Sequence, residues 1–149
     1  MAGFLPLPPE STMLLGTPKQ IPVGLLVLRV ALGAFMLVHG FAKVANFSTL
    51  SEGFPDPIGM GSLLSLLSAI GAEVGCSFLL ILGLGTRLVV LPLAFTMIIA
   101  LFVIHGEDPW KVKELAALFL AGYAVIFITG PGTISLDQKL LGRSRPESD

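Results

Sequence analysis

The sequence carries little charge for its length. Lys, Arg, Asp and Glu together make up 13% of the 149 residues, and 54% of the residues are hydrophobic. Soluble domains have roughly 25% charged residues, which they need to cover an apolar core. The composition therefore argues against a soluble domain and predicts a membrane protein. The net charge of −1 gives no electrostatic basis for nucleic-acid binding.

Cysteine is nearly absent as well. The single cysteine, Cys76, excludes an internal disulfide, a four-cysteine iron–sulfur site and a C-x-x-C-H haem attachment. Because Cys76 lies in an apolar run, we interpret it as a small buried hydrophobic residue. The N-terminus has no basic segment before its short apolar patches, so it makes a poor signal peptide. We interpret residues 1–20 as a proline-broken tail on the membrane surface.

Four apolar segments remain, and each approaches the length that crosses a bilayer. They cover residues 21–45, 61–84, 88–104 and 114–129, and Gly- and Pro-containing segments separate them. The prediction is an all-α polytopic membrane protein, an antiparallel four-helix transmembrane bundle over residues 21–141, followed by a polar tail at 142–149. Gly71-x-x-x-Gly75 in the second segment would allow close approach of another helix.

Basic residues are distributed unequally between the two sides of this bundle. The side with both termini has five of them and the other side has three: Lys19, Arg87, Lys139, Arg143 and Arg145 against Lys43, Lys111 and Lys113. By the positive-inside rule, this favours cytoplasmic termini.

The first segment contains basic residues where lipid would penalise them. On a helical wheel Arg29, His39 and Lys43 fall within an arc of about 80°, so they should face the bundle interior or a hydrated cavity. Counting residues from the membrane edges places Arg29 at the depth of Glu73, the one acid within the second segment. The sequence therefore predicts a buried Arg29–Glu73 ion pair, which would either hold two helices in register or serve in a proton path or as a polar anchor for a lipid headgroup.

The same depth count brings four polar residues to one level near the other membrane edge: His39, Lys43, His105 and Glu114. Such a cluster would relay protons, bind a metal, or hydrogen-bond the carbonyls of a quinone. The residues lack the local spacing of a zinc motif, so we predict no metal. The structural alternative is that these are polar helix ends reaching the headgroup region.

The motifs together resemble the DoxX family of small four-helix membrane proteins. The matching pieces are LRVALGAFMLVHGFAKV, GAEVGCSFLLILGLGTR, IHG at the end of the third segment, and GPGTISLDQKL after the fourth. The resemblance covers residues 23–141 and implies a four-helix bundle. It further implies an association with thiosulfate:quinone oxidoreductase subunits, or with membrane assemblies that handle thiol or oxidative stress.

The leading hypothesis is a multi-pass inner-membrane subunit that supports quinone- or thiol-linked redox chemistry within a complex. The bilayer and a soluble or membrane redox partner are its expected partners, and a quinone is the one cofactor suggested. Whether the chain is itself an enzyme stays open. The alternatives are a non-enzymatic membrane scaffold for a soluble partner and a small transporter or proton pathway.

Overall fold

The computed structural model of the protein describes residues 20–141, which form a bundle of four long helices. In chain order the helices are α1 (Gln20–Ala45), α2 (Phe47–Leu50), α3 (Ser62–Leu82), α4 (Thr86–Ile104), α5 (Trp110–Thr129) and α6 (Leu136–Leu141). The long helices α1, α3, α4 and α5 are each long and apolar enough to span a membrane. No strand occurs in these residues. The predicted all-α polytopic membrane fold is confirmed.

Apart from Gln20, the two predicted tails, residues 1–20 and 142–149, lie outside the described residues. We call the side that carries the 46–61 and 105–109 connections the distal side. The terminal side carries the 83–85 turn and the segment that follows α5.

The surface of the bundle is that of a protein in lipid. Large apolar side chains are more than half exposed on the long helices, among them Val38 at 67%, Leu88 at 73%, Phe102 at 68% and Ile128 at 75%. In water this much apolar surface would promote aggregation, whereas in a bilayer it faces hydrocarbon. The buried core between the helices includes Met36, Leu80, Leu93, Tyr123 and Ile126.

Glycines on α1 set the close packing of α1 against α3. A Cβ atom added at Gly33 would lie 3.1 Å from the Ser77 carbonyl oxygen. One added at Gly40 would lie 3.1 Å from the Glu73 carbonyl carbon. The backbones approach this closely because these positions have no side chain. The predicted small-residue motif, Gly71 and Gly75, instead has open space beside it within residues 20–141.

The segment after α5 folds back and closes the bundle on the terminal side. Arg29 is 1% exposed, and its guanidinium donates to the carbonyl oxygens of Ile134 (3.0 Å), Ile81 (3.5 Å) and Pro131. Gly83 adopts φ +69, and a Cβ there would come within 2.7 Å of the guanidinium carbon of Arg29. A glycine is needed here because both the left-handed backbone and the contact exclude a side chain.

Asp137 in α6 then caps the N-terminus of α4. Its carboxylate accepts hydrogen bonds from the backbone N–H groups of Gly85 (2.7 Å) and Thr86 (2.8 Å). Partial burial opposes ionisation of Asp137, but these N–H groups and the charge of Arg29 outweigh it and lower its pKa below 3.8. A residue 51 positions along the chain thus supplies the capping oxygen that helices usually take from an adjacent residue.

Two helices contain π-helical segments. One occupies Gly71–Cys76 in α3, and the other occupies Ala100–Ile104 at the end of α4. A π turn shifts the direction of the side chains relative to an uninterrupted α-helix, and such turns occur often at functional sites. In α3 the consecutive residues Ala72 and Glu73 are both buried.

Candidate functional site

A cavity of about 480 Å³ lies inside the distal half of the bundle. All four long helices and the 46–61 connection contribute to its wall. The wall is mostly apolar, with side chains such as Met36, Phe95, Met97 and Phe119. The volume is in the range that binds small molecules, and pockets of this kind combine apolar walls with a few polar groups.

The strongest polar feature of the wall is an ion pair between Lys43 and Glu73. The Lys43 ammonium donates to both carboxylate oxygens of Glu73, at 2.6 and 2.9 Å. The side chain of Glu73 is only 6% exposed and that of Lys43 is 23% exposed. Pairing of this kind is what allows a carboxylate to remain charged at membrane depth.

The predicted Arg29–Glu73 ion pair is therefore wrong. The antiparallel packing of α1 on α3 places Gly40 beside Glu73 and places Arg29 beside Gly83. Arg29 is thus about ten residues, or ~15 Å, from the level of Glu73. The depth count failed because it assumed that both helices begin and end at the same two membrane surfaces. In the structure, Glu73 is level with Gly40, which lies near the distal end of α1. Lys43, one turn from Gly40, is the basic residue within reach.

His39 lines the same cavity from α1. Its ring meets the ring of Phe119 edge to face, with centroids 6.1 Å apart. Within residues 20–141, the imidazole nitrogens of His39 have no hydrogen-bond partner. The ring therefore presents a free donor and a free acceptor at the cavity.

His105 also lines the cavity, at the end of α4. Its Nδ1 lies 2.7 Å from an oxygen of Asp108, which orients the ring. Glu114 does not line the cavity and is exposed on α5. This part of the predicted cluster is wrong because the face of α5 that lines the cavity carries Val112, Leu115, Ala116 and Phe119, and residue 114 lies on a different face of the helix. Three of the four predicted residues thus share one cavity, and a role in ligand binding stays a prediction.

The distal cover of the cavity was not predicted. Five residues of the 46–61 connection, which the sequence indicates only as a loop, line it: Phe54, Pro55, Pro57, Ile58 and Met60. Asp56 joins this cover to α3 by accepting from the Ser65 hydroxyl (2.8 Å), and it fixes the end of the connection by accepting from Met60 N–H (2.9 Å) and Gly61 N–H (2.7 Å). These bonds, above all those from Gly61 and Ser65, lower the pKa of Asp56. Apolar residues on either side of two prolines in a loop were the available signal.

Metal-binding geometry does not occur in the part of the chain that the structure describes. No group of three or more His, Cys, Asp and Glu side chains is placed there to hold an ion. Cys76 is partly buried in α3 and does not belong to the cavity wall.

Four apolar spanning helices around a polar-ended cavity define an integral membrane protein of the small helical-bundle class. The chain belongs to the DoxX family, whose family model matches residues 24–106. It is 32% identical over 136 residues to inner membrane protein YphA of Escherichia coli, covering 79% of this chain and 91% of that protein. Together with the four spans, this supports a multi-pass inner-membrane protein.

Two further relatives have similar identity. An uncharacterized protein of Haemophilus influenzae is 30% identical over 128 residues, covering 81% of this chain and 93% of the relative. A Bacillus subtilis protein named "Putative oxidoreductase CatD" is 29% identical over 120 residues, covering 80% of this chain and 88% of the relative. No solved structure matches the chain.

Proposed function

We propose that this DoxX-family protein binds a quinone-type ring in its distal cavity and serves as the membrane subunit of a redox complex. The observation that carries the proposal is the cavity itself. It is apolar along most of its wall, and it gathers His39, His105 and the Lys43–Glu73 pair inside a membrane protein. The name of the B. subtilis relative, an oxidoreductase, agrees with this chemistry.

The charge of the cavity selects a neutral ligand. Lys43 and Glu73 neutralise each other at 2.6 Å, so the pair offers polarity without net charge. A quinone is a neutral ring whose two carbonyl oxygens accept hydrogen bonds. The unpartnered ring nitrogens of His39 are suited to one of those oxygens, and the third N–H of the Lys43 ammonium is available beside them.

A histidine is also suited to the proton transfers that accompany quinone reduction and oxidation. Reduction of a quinone to a quinol takes up two electrons and two protons, and the reverse reaction releases them. An imidazole has one nitrogen that donates and one that accepts a proton, so His39 is able to give a proton to, or take one from, an oxygen of the ring. The electrons would pass to or from a soluble or membrane partner protein.

Thiol-linked chemistry has less support in this chain. A dithiol–disulfide reaction needs two thiols, and the sequence has one cysteine. Cys76 lies outside the cavity wall. Any thiol couple would therefore be supplied by the partner, with this chain providing the quinone site.

A membrane scaffold is the second candidate function. Gly71 and Gly75 lie on one face of α3 and have open space beside them, which is the surface that helices in membranes use for close association. A scaffold would retain a partner through this face and would bind no quinone.

The charge distribution supports cytoplasmic termini. Of the three basic residues predicted on the distal side, Lys43 is paired with Glu73 inside the bundle, which leaves Lys111 and Lys113 to count. The terminal side keeps its five. A reporter enzyme that is active only in the cytoplasm, fused after residue 149, should be active; an inactive C-terminal fusion with an active fusion in the 105–109 connection would reverse the orientation.

Purification in mild detergent followed by solvent extraction and mass spectrometry tests the quinone proposal. The wild-type protein should carry quinone near stoichiometric amounts, and His39→Ala should lose most of it. Glu114→Ala is the matched control, since this residue is exposed on α5 outside the cavity. If the wild-type protein carries no quinone and binds none when it is added, yet holds a partner protein through purification, the scaffold function replaces the redox function.

A further inference from the structure

The helices α3 and α4 separate on the distal half of the bundle. The first part of α3, Ser62–Ile70, packs against α1, whereas α4 packs against the later parts of α3, Gly71–Cys76 and Ser77–Leu82. The cavity occupies the space between the separated parts. The cavity wall includes Ser68 and Ala69 from the first part of α3, and Phe95 and Ile99 from the middle and distal part of α4.

This gap lies at the depth of the lipid hydrocarbon. At 1.5 Å per residue, Ala69 is about 10 Å from the distal end of α3, and Phe95 is about 14 Å from either end of α4. Both depths fall inside a hydrocarbon core of about 30 Å. Ser68 and Phe95 are exposed, Phe95 at 50%, so the gap communicates with the outside of the bundle at this level.

Towards the distal aqueous side the cavity is covered. The 46–61 connection lies over it, and the hydrogen bond from the Ser65 hydroxyl to Asp56 holds that connection to the start of α3. A cavity that is covered towards water and open between two helices towards lipid exchanges its contents with the bilayer.

We propose that the α3–α4 gap is a lateral portal, and that the ligand of the cavity is a ring carrying a long hydrocarbon tail, taken directly from the membrane. The ring enters first and reaches His39 and the Lys43–Glu73 pair, while the tail stays between Ala69 and Phe95 in apolar surroundings. The identification of the ring as a quinone rests on the proposed function, but the portal rests only on the geometry of α3 and α4.

The portal is tested by fluorescence quenching from lipid acyl chains. Phe119 is 5% exposed and lines the cavity, so Phe119→Trp places a reporter inside it, and Trp110→Phe removes the native tryptophan. In quinone-free liposomes of phosphatidylcholine with brominated acyl chains, this tryptophan should be quenched relative to unbrominated liposomes. Met36→Trp, at a fully buried position in the same wall, provides a second reporter if the first does not fold.

A substitution that blocks the gap, which we call the plug, and a matched control then test whether lipid reaches the cavity through the portal. Ala69→Phe fills the gap and should remove most of the quenching. Leu67→Phe adds a ring to the same helix at a position that is 47% exposed and outside the wall, and it should leave the quenching unchanged. Quenching that is equal in both variants would overturn the portal, whatever the ligand.

Adding decyl-benzoquinone to the same liposomes tests the ligand separately. It should quench the reporter further, and Ala69→Phe should slow that change at least tenfold. Tailless benzoquinone loading at the same rate as the decyl compound, with no effect of the plug, would overturn access from lipid. Plug-sensitive lipid quenching without any response to either quinone would keep the portal and reject the quinone function.

Discussion

Removing one member of the Lys43–Glu73 pair should lower the free energy of unfolding far more than removing both members. Glu73 is 6% exposed and has both carboxylate oxygens on one ammonium, so Lys43→Met leaves a buried charge without a partner. Removing one member of a buried pair typically costs about 3–5 kcal/mol. The double variant Lys43→Met/Glu73→Gln has no stranded charge, and we expect it to lose only ~1 kcal/mol or less, because replacing a buried pair by uncharged groups is often close to neutral.

The measurement is a double-mutant cycle on thermal unfolding in detergent, with Lys43→Met, Glu73→Gln and the double variant. The exposed pair His105–Asp108 provides the comparison, since its side chains are 37% and 48% exposed. Exposed pairs contribute about 0–1 kcal/mol, so the coupling measured for His105–Asp108 should be several times smaller. Additive effects of the Lys43 and Glu73 substitutions, within ~0.5 kcal/mol, would refute the reasoning that this pair neutralises a buried charge.

Four further substitutions, one of them a control, test other parts of the fold. Gly33→Leu should destabilise the protein by about 1–3 kcal/mol because α1 must move away from Ser77, and Gly75→Leu, with open space beside it, should change thermal stability by less than ~0.5 kcal/mol. Asp137 has a lowered pKa, so it stabilises the fold fully above pH 3.8 and loses this contribution as the pH falls through its folded value. Asp137→Asn should therefore lower the midpoint temperature at pH 7 by the equivalent of about 1 kcal/mol and flatten its dependence on acid pH. Tyr123→Phe should leave the midpoint unchanged or raise it, since the buried hydroxyl has no hydrogen-bond partner within residues 20–141, and a fall would show that the hydroxyl has a bonded role.

Hydropathy was sufficient to predict the membrane fold. The segment predicted at 21–45 became α1 at Gln20–Ala45, and the segment predicted at 88–104 became α4 at Thr86–Ile104. This part of the structure is predictable because a helix in lipid must satisfy its own backbone hydrogen bonds over a fixed length. Each span is therefore encoded locally. The start of α5 was missed by four residues because the helix begins at Trp110, directly after Pro109, in a segment with polar residues.

The partners of the charged residues were not predictable in the same way. Pairing across two helices depends on their relative register, which here is set by Gly33 and Gly40 against the backbone of α3. A shift of ten residues, about 15 Å, changes the partner of Glu73 from Arg29 to Lys43. The π turn that contains Glu73 adds a change of side-chain direction that a helical wheel at 100° per residue does not include. Neither effect has a signature in the sequence of one helix.

The three basic residues of α1 have three different kinds of interaction partner, and this difference indicates which of them is available to bind a ligand. Arg29 is satisfied by backbone carbonyls that include those of Pro131 and Ile134, so its role is to fasten the last segment to the bundle. Lys43 is satisfied by Glu73. His39 has only an aromatic neighbour among the described residues, and it is the polar group of α1 whose hydrogen-bonding capacity is still unused at the cavity. Since a polar group at membrane depth is costly without a partner, the chain keeps His39 there at a disadvantage to stability that a bound ligand would offset. His39→Phe should accordingly stabilise the empty protein while it abolishes ligand retention, and a destabilised His39→Phe variant that still retains ligand would assign His39 to packing.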